Sequence, residues 1–325
     1  MDRLVSVDHE RAHITVQAGM TLASLSIFAA EHGLTLPSLG SISAQTVAGL
    51  ISTGTHGTGL GHGGIAERVV GLKLVSATGE VIAIDERTPD LLHAARLSLG
   101  LLEILVEISF ACVPAFSLEL TVAPATLDDA LSDLPKHLEA DHFGFWWFPH
   151  IDIVALRSSR RGTFDATPPP GRWTDWRTNH WIAGYRYGAE LLAAGSNPRL
   201  VARANGRLFG DLFAGPCTIA GPSHDVFGVT AHLRHDVIEY AVPIERAAEA
   251  IRALQRLLNR GRHICHAPID VRFTAADTSW LSPAYQRRSC WIGLMIYRPY
   301  GRELPWSALF HEIDDLFASM EGRPH

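Results

Sequence analysis

At 325 residues, with 47% hydrophobic and 19% charged residues, the chain has the length for two packed units and is too apolar for a disordered one. The net charge of −6 excludes the basic surface that nucleic acid demands; lysine occurs only at Lys73 and Lys136, so arginine carries the positive charge. Cys112, Cys217, Cys265 and Cys290 are scattered without paired spacing, which excludes a disulfide framework and points to a reducing compartment, by default the cytoplasm. The most apolar stretch, Leu97 to Phe116, is broken by Glu103 and Glu107 and does not read as a membrane span.

In chain order, Leu4 to Val7 and His13 to Gln17 alternate as two strands. Thr21 is placed to cap a helix that Gly33 closes, and Leu34 to Gly40 reads as a loop. Val69 to Ser76 and Glu80 to Ile84 predict a hairpin, Thr88-Pro89 starts a helix, and Ile104 to Val113 is a strand. Past Pro114 the texture changes, which sets a boundary near residue 116. Thr126 to Asp129 resembles a capping box, and Phe143 to Phe148 is an aromatic strand. Thr167 to Tyr187, with three prolines and Trp173, Trp176 and Trp181, reads as a loop or irregular surface excursion. Strands are expected at Ile238 to Val242, Ile269 to Phe273 and Cys290 to Tyr297. Helices are expected from Glu245 to Leu258, ending at Gly261, and from Trp306 to Met320. Strands and helices mix without strict βαβ alternation, so the fold class is α+β.

The densest signal is the glycine-rich run from Ser52 to Gly64, whose backbone can approach a ligand closely. Gly59-x-Gly61-x-x-Gly64 satisfies a dinucleotide fingerprint, but a strand rather than a helix follows it, so the context that would confirm the motif is missing. No Lys-Ser or Lys-Thr ends the run, which excludes a Walker loop. The alternative is a connector without a ligand. His263-x-Cys265-His266 is too crowded and short of ligands for zinc, and no metal is expected. His142 and His150 flank the aromatic strand as packing or surface residues, or as part of a sugar pocket.

Ala44-Gln45-Thr46-Val47-Ala48-Gly49 together with Ser52-Thr53-Gly54-Thr55-His56-Gly57-Thr58-Gly59 resembles the flavin-binding stretch of the sugar-1,4-lactone oxidases. These D-arabinono-1,4-lactone and L-gulonolactone oxidase-like enzymes, with the bacterial alditol oxidases, belong to the vanillyl-alcohol-oxidase-type flavoproteins. Thr15 to Gly19, Glu239 to Pro243, Asp270 to Phe273 and Gly322 to His325 extend the similarity over nearly the whole chain. The resemblance implies the second half of a PCMH-type FAD-binding domain over residues 1–116. An α+β substrate, or cap, domain with an antiparallel sheet would follow over 117–325. It implies FAD as cofactor, a sugar lactone or polyol as substrate, and oxygen or another electron acceptor. Membrane association occurs among related lactone oxidases.

What the resemblance implies for individual residues is specific. Gln45, Thr46, Gly49, Ser52, Thr53, Gly54, His56, Gly57, Thr58, Gly59 and Ile104 would contact the flavin, and Thr58 could bond a substrate hydroxyl. Asp270 and Arg272, two apart on one strand, project from one face and would act on substrate. Relatives carry Glu at the first of these, so Asp270 reaches one methylene less far. The bland alternative is a surface ion pair. His325 would be the first residue of a terminal His-Trp-Gly-Lys element, although a lone terminal histidine ordinarily frays. Glu103 stands where relatives have glycine and would crowd the flavin.

Relatives also begin with a Gly-Ser-Gly-His-Ser-like loop around the pyrophosphate that is absent here, so the sequence reads as truncated at both ends. Three readings follow: a lactone oxidase, an alditol oxidase, or a cofactor-free remnant that binds a sugar-like ligand or a partner. Discrimination between lactone and alditol would rest on residues near Asp270 and the aromatic strand.

Overall fold

The computed structural model describes residues 2–102, 104–195, 197–228, 235–260, 264–298 and 307–325. Of the positions singled out above, Glu103, Gly261, His263 and Trp306 lie outside the described residues.

The first strands are β1 (Leu4–Asp8), β2 (His13–Gln17), β3 (Leu34–Thr35), β4 (Val69–Val75), β5 (Val81–Asp85), β6 (Ile104–Ala111) and β7 (Val113–Pro114). Five of them make an antiparallel sheet ordered β1-β2-β6-β4-β5, while β3 pairs with β7, so the loop expected from Leu34 begins as a short strand. Alternation decides what the sheet buries: Ile14, Val16, Ile108, Phe110, Leu72 and Leu74 point to a core closed by the helix Leu22–Glu31. Thr21 caps that helix, its Oγ1 accepting from Ser24 N at 3.2 Å, and Gly33 leaves it at φ +72°.

The second unit begins at β8 (Ser117–Thr126) and continues with β9 (His142–Phe148), β10 (Ile153–Gly162), β11 (Cys217–Pro222), β12 (His235–Pro243), β13 (Ile269–Thr274), β14 (Ser289–Tyr297) and β15 (Arg323–Pro324). They form an eight-stranded antiparallel sheet ordered β11-β8-β10-β9-β13-β14-β12-β15. Register determines its chemistry. Arg157, Gly144, Arg272, Trp291 and Ala241 lie opposite one another across five strands, and two residues along lie Ala155, Trp146, Asp270, Gly293 and Glu239. The two-residue period puts both rows on one face. The other face carries Phe145, Trp147, Val271, Ile292 and Tyr240 into a core with Leu254, Leu258, Ile313 and Phe317 of the helices Ala247–Asn259 and Ser307–Ala318. Each of those large side chains, fully buried, contributes roughly 1.5–3 kcal/mol by leaving water.

One expectation is corrected. From Arg172 the chain is helical through Ala194, with wider π-helical turns over Trp176–Arg186, rather than irregular. The three prolines end before Gly171, which caps the helix, and Trp173, Trp176 and Trp181 in its first turns face solvent, while its buried residues Ile182, Tyr187 and Leu191 come only later. Among the described residues no helix is long and apolar enough to cross a membrane.

Candidate active site

Four elements far apart in sequence meet at Glu239. It sits on β12 among apolar neighbours and is 7% exposed, in a place where an unpaired carboxylate would be prohibitively costly. Its partners answer that cost. Arg272 Nη2 of β13 donates to Oε1 at 2.7 Å, His325 Nδ1 donates to Oε2 at 2.6 Å, and His56 Nε2 lies 3.4 Å from Oε2. Gly293, beside Glu239 in register, leaves the lane open: a Cβ there would stand 3.2 Å from Oε1. Glu239 opens a segment similar to the family, but nothing in its local sequence names these partners.

Arg272 branches three ways. Besides Glu239 it donates through Nη1 to the His56 carbonyl at 3.1 Å, and Nε lies 3.2 Å from Asp270 Oδ2. The Asp270–Arg272 pair is therefore set in the interior of the site, not on the surface. Asp270 Oδ1 is buried without a hydrogen-bond partner. His325 is not frayed: β15 pairs with β12, the His325 backbone N–H donates to Glu239 O at 2.9 Å, and Nε2 faces the Thr53 carbonyl at 3.0 Å.

Charge follows from burial. Burial alone would push the Glu239 carboxyl up, yet Arg272, His56 and the hydrogen bond from His325 together hold it well below its usual range. Burial and then Arg272 push His56 down to about 4, against the pull of Glu239, so its ring, stacked on Trp291 at 3.7 Å, is neutral near pH 7. A histidine lowered from 6.5 to about 4 takes its proton in the unfolded chain first, so its contribution is lost as pH falls between those values, by at most about 3 kcal/mol. Asp277, pushed up to about 6 by burial, works the other way; its contribution is lost as pH rises through about 6. We expect the melting temperature to drop as pH falls from about 6.5 to about 4, and His56→Gln to flatten that slope in calorimetric scans. An equal slope in the variant would assign the effect elsewhere.

The glycine-rich run divides into two parts. Thr46, Gly49 and Thr53 are exposed and Gln45 and Ser52 half-buried, on and around the helix Val47–Ser52, which Thr46 caps through Gly49 N at 3.2 Å. Beside them lie Leu99, Leu101, Leu102 and Ile104, all more than half exposed, with Leu99 N donating to Ser52 O at 3.0 Å. Small side chains and open backbone next to an apolar strip form a face that a flat heteroaromatic ring fits, and His325 borders it over Gly54. Gly54, His56, Gly57 and Gly59, by contrast, are buried. A Cβ on Gly57 would come 2.3 Å from Ser38 Oγ and 2.5 Å from Leu39 O. Gly59, at φ +124°, donates to Phe273 O at 2.6 Å. Thr58 Oγ1 donates to Phe143 O and accepts from Phe273 N at 3.2 Å. Its hydroxyl is thus engaged with the second sheet instead of open to a substrate hydroxyl, and Gly57 to Gly59 form a seam between the units.

His56, Glu239 and His325 present ligand atoms within 4.8 Å of one another. Hydrogen bonds account for that closeness, and the Arg272 guanidinium on the same carboxylate opposes a cation. His142 packs in the seam, its Nδ1 2.7 Å from Thr58 O and its ring stacked 5.1 Å from His62.

Residues 1–85 match the FAD binding domain family. The fold resembles PCMH-type flavoproteins. Against a solvent-stable cholesterol oxidase the TM-score is 0.77 at 17% identity, covering 99% of this chain and 72% of that one. Against the cholesterol oxidase of B. sterolicum it is 0.75 at 13% identity, covering 100% and 72%. The chain has the fold of the PCMH-type flavoproteins, and its first part matches their FAD binding domain. Residues 108–325 match the D-arabinono-1,4-lactone oxidase family, and the chain belongs to it. It is 34% identical over 328 residues to the L-gulonolactone oxidase of Bos taurus and 31% over 328 to the L-gulono-1,4-lactone dehydrogenase of Mycobacterium tuberculosis, covering all of this chain and 74% of each relative. To the putative D-arabinono-1,4-lactone oxidase of Neurospora crassa it is 30% identical over 372 residues, covering 100% and 66%. Enzymes of this family act on CH–OH donors.

Proposed function

We propose that the chain oxidises a CH–OH group of a sugar-1,4-lactone, of the D-arabinono-1,4-lactone type, and passes the electrons to oxygen or another acceptor. In this reading residues 1–116 hold the flavin and 117–325 the substrate. The observation that carries it is the Glu239 cluster, which joins the terminus of the flavin-facing surface, His325, to the Arg272–Asp270 pair on the second sheet.

Gln45, Thr46, Gly49, Ser52, Thr53 and Ile104 would hold the flavin ring, which when bound accepts the hydride from carbon. The chain's own residues handle the proton and the charge. His325, turned by Glu239 through Nδ1, takes the hydroxyl proton at Nε2, and the Thr53 carbonyl 3.0 Å away is in place to receive a bond from it. Glu239 is too weak a base for this task, because its charged form is stabilised on three sides, and it serves as the anchor. Arg272 steadies the developing oxyanion while Asp270 holds its Nε edge. The matches to both families, one of them named for the lactone oxidase, support this reading over an alditol oxidase or a cofactor-free remnant.

The test is direct: record the visible spectrum of the purified chain, titrate FAD by quenching of flavin fluorescence, then add D-arabinono-1,4-lactone and follow acceptor reduction. Saturable FAD binding with lactone-dependent turnover is expected. FAD binding with no turnover of any aldonolactone would overturn the substrate, and no FAD binding at all would overturn activity of this chain.

A further inference from the structure

The catalytic row of the second sheet does not stop at Arg272. Across Gly144, one strand further on, stands Arg157 of β10, on the same face and in the same register. Gly144 keeps the lane between the two arginines clear: a Cβ there would lie 3.5 Å from Arg272 Cγ and 2.8 Å from Val271 O. Arg157 is half-buried and its guanidinium carbon lies 4.3 Å from the centroid of the Trp146 ring. Among the described residues it makes no hydrogen bond and no ion pair. Two charges act on it, Asp270, whose register partner on β9 is Trp146, and Arg272. Burial lowers the Arg157 pKa, with Asp270 opposing, which reflects the cost of taking an unbonded cation out of water. On the same face, in the adjoining row, is an unspent acceptor, the buried Asp270 Oδ1.

A guanidinium held on an aromatic ring without an acceptor, next to a carboxylate oxygen without a donor, is complementary to a ligand carrying an acceptor and a hydroxyl side by side. An aldonolactone has that pairing in its carbonyl oxygen and the neighbouring hydroxyl; an alditol has hydroxyls only. We propose that Arg157, seated on Trp146, and Asp270 Oδ1 form the subsite that selects the lactone, Arg157 donating to the carbonyl oxygen and Asp270 accepting from the adjacent hydroxyl. This rests on the lactone reading of the same site and names the residue that distinguishes lactone from polyol.

The test uses the full chain with FAD and two five-carbon probes, D-arabinono-1,4-lactone and D-arabinitol. Affinity is read by tryptophan fluorescence and by calorimetry, and KM and kcat from acceptor reduction. Arg157→Leu is expected to weaken lactone affinity and raise its KM about ten- to a hundredfold, with a smaller change in kcat, as loss of a charge-assisted bond requires. Arg157→Lys, which keeps the charge but loses the fork, is expected to fall between. Lactone affinity within about twofold of the parent in a folded Arg157→Leu chain would overturn the subsite, as would an equal weakening of arabinitol. If the leucine variant fails to fold, unchanged affinity in the lysine variant overturns it. A parent chain that binds FAD but neither binds nor turns over the lactone overturns the lactone reading itself, a result distinct from the loss of selectivity in the variant.

Discussion

Replacing Glu239 by alanine is expected to lower stability by about 3–5 kcal/mol and to abolish most activity, because it strips the buried carboxylate from three partners at once. Arg272 Nη2 loses its shortest bond, His325 Nδ1 loses the acceptor that orients the ring, and His56 Nε2 loses its carboxylate neighbour at 3.4 Å. The size of the loss comes from leaving the arginine behind: a guanidinium side chain 16% exposed with one carboxylate, Asp270, remaining on its Nε edge. For a chain of this length that amounts to a drop in melting temperature of about ten degrees. Glu239→Gln keeps the shape and one acceptor oxygen, so about half the stability loss is expected, while kcat/KM still falls about a hundredfold because His325 is no longer held by a charge. Thermal melts and steady-state rates on the pair separate the two roles. A melting temperature for Glu239→Ala equal to the parent would mean that the cluster is not the anchor described here.

How much of this was legible in the sequence depends on the range of each interaction. Two-residue alternation in Ile269 to Phe273 put Asp270 and Arg272 on one face, and the caps at Thr21 and Thr126 are local hydrogen bonds within three residues; all are found as read. Arg157 and Gly144 are opposed across the short β9–β10 turn, whereas the alignment of Gly144 with Arg272 joins strands far apart in the chain and is not legible locally. The glycine run reads as a single flavin-contacting stretch, whereas burial divides it, since Gly57 and Gly59 are small in order to meet Leu39 and the β13 backbone. Besides the family-like segment it opens, Glu239 carries a local signal, a carboxylate between Ile238 and Tyr240 on an otherwise apolar stretch, which reads as a buried charge that must have a partner. The first turns of the helix after Gly171 turn their tryptophans outward, the reverse of the inward apolar stripe by which helices are found.

Removing Arg272 is expected to have the largest effect on turnover. Its fork donates to Glu239 at 2.7 Å and to the His56 carbonyl at 3.1 Å, with Asp270 as an ion-pair partner 3.2 Å from Nε, so it fixes both the proton-handling cluster and the backbone of the glycine-rich seam. A lysine ammonium has one centre and no planar fork, and cannot satisfy a carboxylate on each side and a carbonyl at once. Arg272→Ala is therefore expected to reduce kcat/KM about a thousandfold, the scale of losing a preorganised oxyanion donor, and Arg272→Lys to recover less than about tenfold of it. The two variants also differ in stability. Alanine leaves Glu239 buried with only histidines for company, while lysine keeps the charge, so the lysine chain melts higher than the alanine chain even though both are nearly inactive. Lysine restoring the rate to within about tenfold of the parent would show that charge alone suffices, and the three-way geometry would then be a feature of folding, not of catalysis.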